Sequence, residues 1–155
     1  MGRWEFTGTP EHRIFGWLQV GEVLAVGTDP AAALARHPWL ESHPHLSIGW
    51  PKNNTVYIGR ERLTLRGAQA DACGFGRCRA GIRMTALASP HVSTWTVPKW
   101  LDPNNGGTGL TYHKPGNWID GTILRTAARG QEFVADIGDR ADAHDWLTQL
   151  FEREI

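Results

Sequence analysis

The sequence predicts an α+β protein: a β-rich, curved sheet with a short helix after its first strands and a second helix at the carboxyl terminus. Short β-branched and aromatic segments recur along the chain, separated by turn formers that include 18 Gly and 9 Pro. Start and stop signals typical of helices frame two further segments. A length of 155 residues suits one core, so residues 1–155 are expected to form a single domain.

The first strands are predicted in residues 13–26, where β-branched and aromatic residues alternate with small or polar ones. Gly21, in the middle of this segment, predicts a bulge or tight bend between two strands. Asp29 is a helix N-cap residue followed by proline, which predicts a helix of about two turns over residues 31–36. Residues 37–54 contain three prolines and predict a long structured loop.

The middle of the chain is predicted to hold short strands and one long irregular segment. Residues 55–59 and 62–65 are interpreted as a strand pair joined by a short turn, the first strand buried on both faces. Residues 81–87 predict a further strand. Residues 89–121 are rich in Pro, Asn, Gly and Trp, a composition typical of a functional loop when it is this long, and residues 110–113 are expected to be a short strand within it.

The carboxyl-terminal part is predicted to be a strand followed by a helix. Residues 123–137 are interpreted as an extended strand with a kink or bulge at Gly130. Asp139 is expected to cap the final helix. The apolar residues of that helix recur at intervals of three and four, which predicts one face packed on the sheet. They are Ala143, Trp146, Leu147 and Leu150.

Charge and targeting signals exclude several classes of protein. Sixteen basic and sixteen acidic residues balance, which argues against binding nucleic acid mainly through bulk neutralisation of phosphate. No apolar run approaches the ~18 residues of a spanning helix, so no membrane partner is expected. The amino terminus lacks an apolar signal region and only two cysteines are present, which predicts a cytoplasmic protein.

Loop aromatics are the first candidates for a binding site. Trp95, Trp100 and Trp118 lie in the long irregular segment, together with Tyr112. Aromatic rings on loops can stack on a flat base, at about 1–3 kcal/mol per base. Aromatic rings also fill small cores, and this alternative stays open for all of them.

Arginines are the candidates for binding phosphate. Thirteen of the sixteen basic residues are Arg, whose planar guanidinium suits bidentate contacts with phosphate. The segment between positions 60 and 83 contains six arginines and only two acidic residues. The candidates among these arginines are Arg60, Arg62, Arg79 and Arg83. The alternative is a solvated face with no ligand.

Histidines offer a catalytic alternative. His43, His45 and His113, with Glu132 as an acid, are candidates for general acid–base roles in a base-modifying or nucleotide-processing enzyme. His37, His43 and His45 are close enough in sequence to share a metal, although a helix end and loop packing are the favoured explanations for them. The sequence identifies no cofactor.

Seven segments occur in an order that resembles a known family. They are residues 14–23 (IFGWLQVGEV), 37–40 (HPWL), 43–45 (HPH), 54–57 (NTVY), 110–113 (LTYH), 130–134 (GQEFV) and 146–151 (WLTQLF). Together they are similar to the carboxyl-terminal part of the family called nucleotide modification associated domain 3. The resemblance implies a prokaryotic or phage protein associated with DNA base modification or defence, and it supplies no established catalytic residue.

The resemblance also bears on architecture. Members of that family are expected to carry a further upstream half with a Ser-Arg-Lys-Gly-Phe-Asp type segment. The chain is therefore expected to be the carboxyl-terminal part of a longer architecture, with a partner chain able to supply the missing half. A second likeness, at fold level, is that the strand of Phe15, Gly16 and Trp17 running into residues 20–23 is similar to barrel strands of PUA-like domains, which implies an open barrel with aromatic loops around a modified base.

These observations lead to one main hypothesis and two alternatives. The main hypothesis is a domain that binds a nucleotide or a base of DNA, modified or not, in a pocket of loop tryptophans beside an arginine-rich strand face. The first alternative is the metal- or histidine-dependent enzyme described above. The second is a structural half that requires its partner segment.

Overall fold

The computed structural model describes residues 8–47, 49–65, 73–75, 82–126 and 133–152. The chain divides into two compact units. The larger unit comprises Met1–Phe15, Leu65–Ala68 and Phe75–Ile155, and the smaller unit comprises Gly16–Thr64 and Gln69–Gly74.

The described residues form short strands, 3-10 turns and two α-helices, an α+β composition as predicted. The strands are β1 (Gly16–Leu18), β2 (Val20–Ala25), β3 (Thr55–Gly59), β4 (Cys73–Phe75), β5 (Thr94–Thr96) and β6 (Ile123–Arg125). The helices are α1 (Ala31–Arg36) and α2 (Ala141–Glu152). The 3-10 turns are Pro38–Leu40, Pro44–Leu46, Lys99–Leu101, Pro103–Asn105 and Pro115–Asn117.

The smaller unit is built on an antiparallel pair, β2 with β3, and β1 pairs separately with β4. The register of β2 against β3 shifts between Val20 and Glu22, so the bulge predicted at Gly21 is confirmed. The core beneath the β2–β3 pair joins both strands, α1 and the two 3-10 turns that follow α1. Its buried members are Leu24, Val26, Ala33, Leu40, Leu46 and Val56.

Helix α1 begins at Ala31, as the sequence predicts, but its N-cap residue is Pro30 rather than Asp29. The Asp29 carboxylate accepts a hydrogen bond from the backbone N–H of Ala31 at 2.9 Å, which satisfies one of the free donors of the first turn. The helix ends at Arg36, and Pro38 opens the next turn. Residues 37–54 form the predicted structured loop, with two 3-10 turns.

The larger unit is built on β5 and β6, which are antiparallel and pair Trp95 with Leu124. Helix α2 contributes Ala143, which is fully buried, and Trp146, which packs edge-on against Trp100 at 5.8 Å between ring centroids. The other buried members of this core are Met84, Val97, Leu101, Trp118 and Leu124. The predicted packing of the Trp146 face is therefore confirmed.

Several predicted strands are wrong, because pairing depends on partners that a local pattern does not contain. Residues 62–65 form no strand with β3, whose partner is β2, and β3 exposes Tyr57 rather than burying both faces. Residues 82–87 make only isolated bridges, at Arg83 and Thr85.

Two further strand predictions also fail. Residues 110–113 form a turn, and the strand predicted over 123–137 ends at Arg125, with residues 133–137 irregular and Gly130 outside the described residues. Helix α2 begins at Ala141, so Asp139 lies two residues before it and is not its cap.

The sheets do not close. Within the described ranges the strands form three two-stranded sheets and no closed barrel, so the PUA-like barrel is not confirmed. No helix in those ranges combines the length and the apolarity required to cross a bilayer.

Candidate functional site

An open cleft of about 460 Å³ lies in the larger unit, between the chain that follows the 3-10 turns and the extended chain before α2. This volume falls within the range of small-molecule sites. Two hydrogen bonds join its walls: the Thr111 N–H donates to the Val134 carbonyl at 3.0 Å, and the Val134 N–H donates to Thr111 Oγ1 at 2.9 Å. The lining residues are Pro103, Thr108, Gly109, Leu110, Thr111, His113, Pro115, Val134, Ala135 and Asp136.

Asp102 holds the chain at the base of one wall. Its side chain is buried, and its Oδ1 accepts from the Asn104 N–H at 2.9 Å while its Oδ2 accepts from Asn105 Nδ2 at 2.5 Å. Its carbonyl accepts from the N–H of Gly107 at 2.8 Å. Because a buried carboxylate is costly unless it is hydrogen-bonded, these contacts tie the loop before the cleft to one conformation.

His113 lines the cleft as a neutral imidazole. Its Nδ1 lies 2.9 Å from the Thr111 carbonyl oxygen, and its Nε2 lies 3.0 Å from Thr126 Oγ1. A carbonyl oxygen can only accept a hydrogen bond, so we assign the ring proton to Nδ1, which donates it to Thr111. Nε2 then accepts a hydrogen bond from the hydroxyl group of Thr126. Burial lowers the pKa of His113, and the Thr111 carbonyl raises it by less. The ring therefore carries no charge at neutral pH.

An aromatic cluster lies beside His113. Phe133 contacts the rings of His113, Trp95 and Tyr112 edge-on, at centroid distances of 4.8, 5.5 and 6.5 Å. Edge-to-face contacts at these distances are favourable for aromatic rings. We call Trp95, Tyr112, His113 and Phe133 the aromatic cluster.

Tyr112 is unusual within this cluster. Its backbone φ is +68°, in the left-handed region that non-glycine residues rarely adopt, and its side chain is 79% exposed. The left-handed conformation costs roughly 1–2 kcal/mol for a residue with a Cβ. Both neighbours in sequence, Thr111 and His113, line the cleft, whereas Tyr112 itself is not a lining residue.

The predicted loop tryptophans have different environments. Trp100 and Trp118 are 6% and 5% exposed and belong to the core of the larger unit, so they do not line the cleft. Core packing, the alternative that the sequence left open, describes these two residues. Trp95 is partly buried against the same core and donates from Nε1 to His12 Nδ1 at 2.9 Å.

The candidate histidines of the smaller unit have local partners. His37 Nε2 lies 3.2 Å from Glu22 Oε2, and His43 Nδ1 accepts from the N–H of His45 at 3.2 Å. His45 donates from Nδ1 to Asn54 Oδ1 at 2.8 Å and stacks on Trp50. Among the residues that the structure describes, no three His, Cys, Asp or Glu side chains are grouped as a metal site would require.

The candidate arginines are distributed over both units. Arg60 and Arg62 are exposed on the smaller unit. Arg83, in the larger unit, lies 3.0 Å from the carboxylate of Glu11, which also pairs with Arg13. Arg79 and the candidate acid Glu132 lie outside the described residues.

Sequence reasoning identified one cleft-lining residue, His113, and two other members of the aromatic cluster, Trp95 and Tyr112, and missed the rest of the cleft. Thr111 and Asp136 were not singled out, because residues 110–113 read as a strand and residues 133–137 as part of another. No local signal marks Asp136 as a cleft residue. The cleft results from hydrogen bonds between segments 23 residues apart in sequence, such as that from Val134 to Thr111.

Together, fold and cleft define an α+β protein with an open, aromatic-flanked pocket and a neutral imidazole in its wall. Residues 3–136 match the family model of nucleotide modification associated domain 3 (Nmad3), and the chain belongs to this family. Membership associates the chain with nucleotide modification. Comparison with curated proteins and with solved structures found no match.

Proposed function

We propose that the chain is a binding module of a DNA modification system and that the cleft of its larger unit takes a nucleobase, free or within a nucleotide. The observation that carries the proposal is Tyr112, an exposed ring in a left-handed conformation between two cleft-lining residues. Backbone strain persists where surrounding structure maintains it, and it is concentrated at functional sites.

The cleft supplies what a flat, mostly apolar ligand requires. Leu110, Pro115 and Val134 offer apolar surface, while Thr108 and Thr111 add hydroxyl groups that can donate or accept. A site with apolar walls and few polar groups is the usual form of a small-molecule pocket. Tyr112 would stack on one face of the base, a role that the sequence predicted for the loop tryptophans.

As a separate surface, the smaller unit is proposed to contact phosphates of a DNA backbone. Arg60 and Arg62 are exposed and two residues apart, and guanidinium groups bind phosphate oxygens in bidentate geometry. Arg83 is a weaker candidate because its charge is compensated by Glu11.

A titration of the purified chain with deoxynucleosides and deoxynucleotides, followed by tryptophan fluorescence, tests the proposal. Trp95 contacts Phe133, so binding beside the aromatic cluster should alter the emission. We expect Tyr112→Ala to weaken binding about fivefold or more, since loss of base stacking costs about 1–3 kcal/mol, and Tyr112→Phe to retain most of the affinity.

Phe15→Ala is the matched control, because Phe15 is an aromatic residue of the larger unit that is 81% exposed and has no cleft-lining residue next to it in sequence. Its affinity should equal that of the wild type. Equal binding by Tyr112→Ala and wild type would contradict the role of Tyr112, and a folded wild-type chain that binds no member of the panel would contradict the function.

A catalytic function is the second candidate, favoured by the pair of His113 and Thr126. A neutral imidazole nitrogen 3.0 Å from a hydroxyl oxygen is the arrangement in which a general base activates an oxygen nucleophile. Mass spectrometry of nucleotides incubated with the chain distinguishes the two functions. A product that wild type makes and His113→Gln does not would favour catalysis, and unchanged nucleotides would favour a binding module.

A further inference from the structure

We infer that the cleft selects bases that present adjacent N–H donors, guanine above all, and that the carboxylate of Asp136 accepts those donors. The inference rests on the proposed function and names the ligand class of the same cleft. It follows from the charge of the cleft wall, the partners of Asp136 and the hydrogen-bonding edges of the bases.

The described wall of the cleft carries one negative charge and no compensating cation. Asp136 is its only acidic residue, it contains no Lys or Arg, and the imidazole of His113 is neutral. A phosphate group placed in the cleft would meet a carboxylate and no cation among the described lining residues, because Lys114, between His113 and Pro115, is exposed and does not line the cleft. The part of a nucleotide that suits this cleft is therefore the base, with its phosphate outside.

The carboxylate of Asp136 is held in place by one hydrogen bond and can accept more. Its Oδ1 accepts the N–H of Gly138 at 3.1 Å, while an ionised carboxylate offers about four lone-pair sites in all. Arg140, four residues later, is held by Asp142 at 3.2 Å and by the carbonyl of Gly106 at 2.9 Å. Arg140 is not among the described contacts of Asp136, so the remaining lone pairs of this carboxylate are available to a ligand.

The edges of the bases determine which ligand fits such an acceptor. Guanine presents N1–H and N2–H side by side on its pairing edge, which matches the two oxygens of a carboxylate. Thymine presents one N–H between two carbonyl oxygens, which a carboxylate repels. Bidentate pairs of this kind discriminate between bases by about 1–3 kcal/mol, or about five- to 150-fold in affinity.

The test compares 2′-deoxyguanosine with 2′-deoxyinosine, which differs only in lacking the N2 amino group. Nucleosides carry no phosphate, so the comparison isolates the base. We expect the wild type to bind deoxyguanosine about tenfold more tightly than deoxyinosine, and thymidine more weakly than either.

Asp136→Asn keeps a side-chain oxygen for the Gly138 N–H but removes the charge and one acceptor. We expect it to lose about tenfold in affinity for deoxyguanosine and to bind deoxyinosine nearly as well as deoxyguanosine. Asp139→Asn is the matched control, because Asp139 is an exposed acid three residues later that does not line the cleft. It should keep the wild-type preference.

The outcomes separate this inference from the function on which it rests. Binding of nucleosides without preference for deoxyguanosine, or an unchanged preference in Asp136→Asn, overturns the role of Asp136 and leaves base binding intact. A wild-type chain that melts cooperatively and binds no nucleoside overturns both.

Discussion

At the residue scale, His113 couples the charge state of the cleft to the stability of the protein. Its pKa is lowered mainly by burial, so the folded chain holds a proton on this ring less tightly than the unfolded chain does. The unfolded chain, with a histidine pKa of about 6.5, binds more protons as the solution becomes acidic. The free energy of unfolding therefore falls as the pH drops through about 6.5 toward the lower folded value, and this penalty is absent above that range.

His113→Gln tests this linkage, because glutamine can donate and accept hydrogen bonds but does not titrate. We expect the wild type to lose more stability than His113→Gln between pH 7.5 and pH 5.5, measured by urea unfolding at each pH. His91→Gln, a change at an exposed histidine, should keep the pH dependence of the wild type. Parallel pH profiles for wild type and His113→Gln would contradict this linkage, because they would mean that His113 has the same pKa in the folded and the unfolded chain.

At the element scale, the turn before the cleft requires glycine at position 107. A Cβ at Gly107 would lie 2.5 Å from the carbonyl oxygens of both Trp100 and Asp102. These oxygens accept the N–H groups of Thr108 and Gly107 at 3.0 and 2.8 Å, so neither can move without breaking a backbone hydrogen bond. The close approach of backbone to backbone explains why glycine is required here.

Gly107→Ala is accordingly expected to lower the free energy of unfolding by about 1–3 kcal/mol, the usual cost of overpacking. Gly116→Ala provides the matched control, because no atom lies within 4 Å of a Cβ built there. Its effect should stay within about 0.5 kcal/mol. Chemical denaturation of the two variants side by side makes the comparison, and equal stabilities would contradict the packing argument.

At the scale of the whole molecule, zero net charge conceals an uneven distribution of charge. Arg60 and Arg62 are exposed on the smaller unit, whereas Arg36 lies 2.6 Å from Glu22 and Arg83 lies 3.0 Å from Glu11. Arginines bound to carboxylates have less charge to offer a phosphate. Among these four arginines, Arg60 and Arg62 therefore have the most charge to offer DNA.

The double variant Arg60→Ala, Arg62→Ala is expected to weaken binding to a short DNA duplex and to reduce the slope of log K against log salt concentration by up to about 2. Arg36→Ala removes one positive charge, from an arginine paired with Glu22, and should keep the wild-type slope. Titrations at several salt concentrations give both slopes. An unchanged slope in the double variant would remove these arginines from phosphate binding.

The sequence by itself determined the features that local chemistry controls. Asp29 with the proline after it specified the start of α1, Gly21 marked the bulge in β2, and apolar residues at intervals of three and four specified α2. Each depends on residues within a turn or two of one another, so the signal is contained in a short window. Six of the seven ordered segments, all but residues 146–151, lie within the match to the Nmad3 family and were likewise readable without a structure.

Only the tertiary structure decided which aromatics are buried and where the cleft lies. Trp100 and Trp118 look like Tyr112 in sequence, as aromatic residues in an irregular segment, yet the first two fill the core and the third is exposed. The bonds from His113 to Thr126 and from Val134 to Thr111 join residues 13 and 23 positions apart. Burial and long-range hydrogen bonding depend on the partner that the folded chain brings close, and no local pattern contains that information.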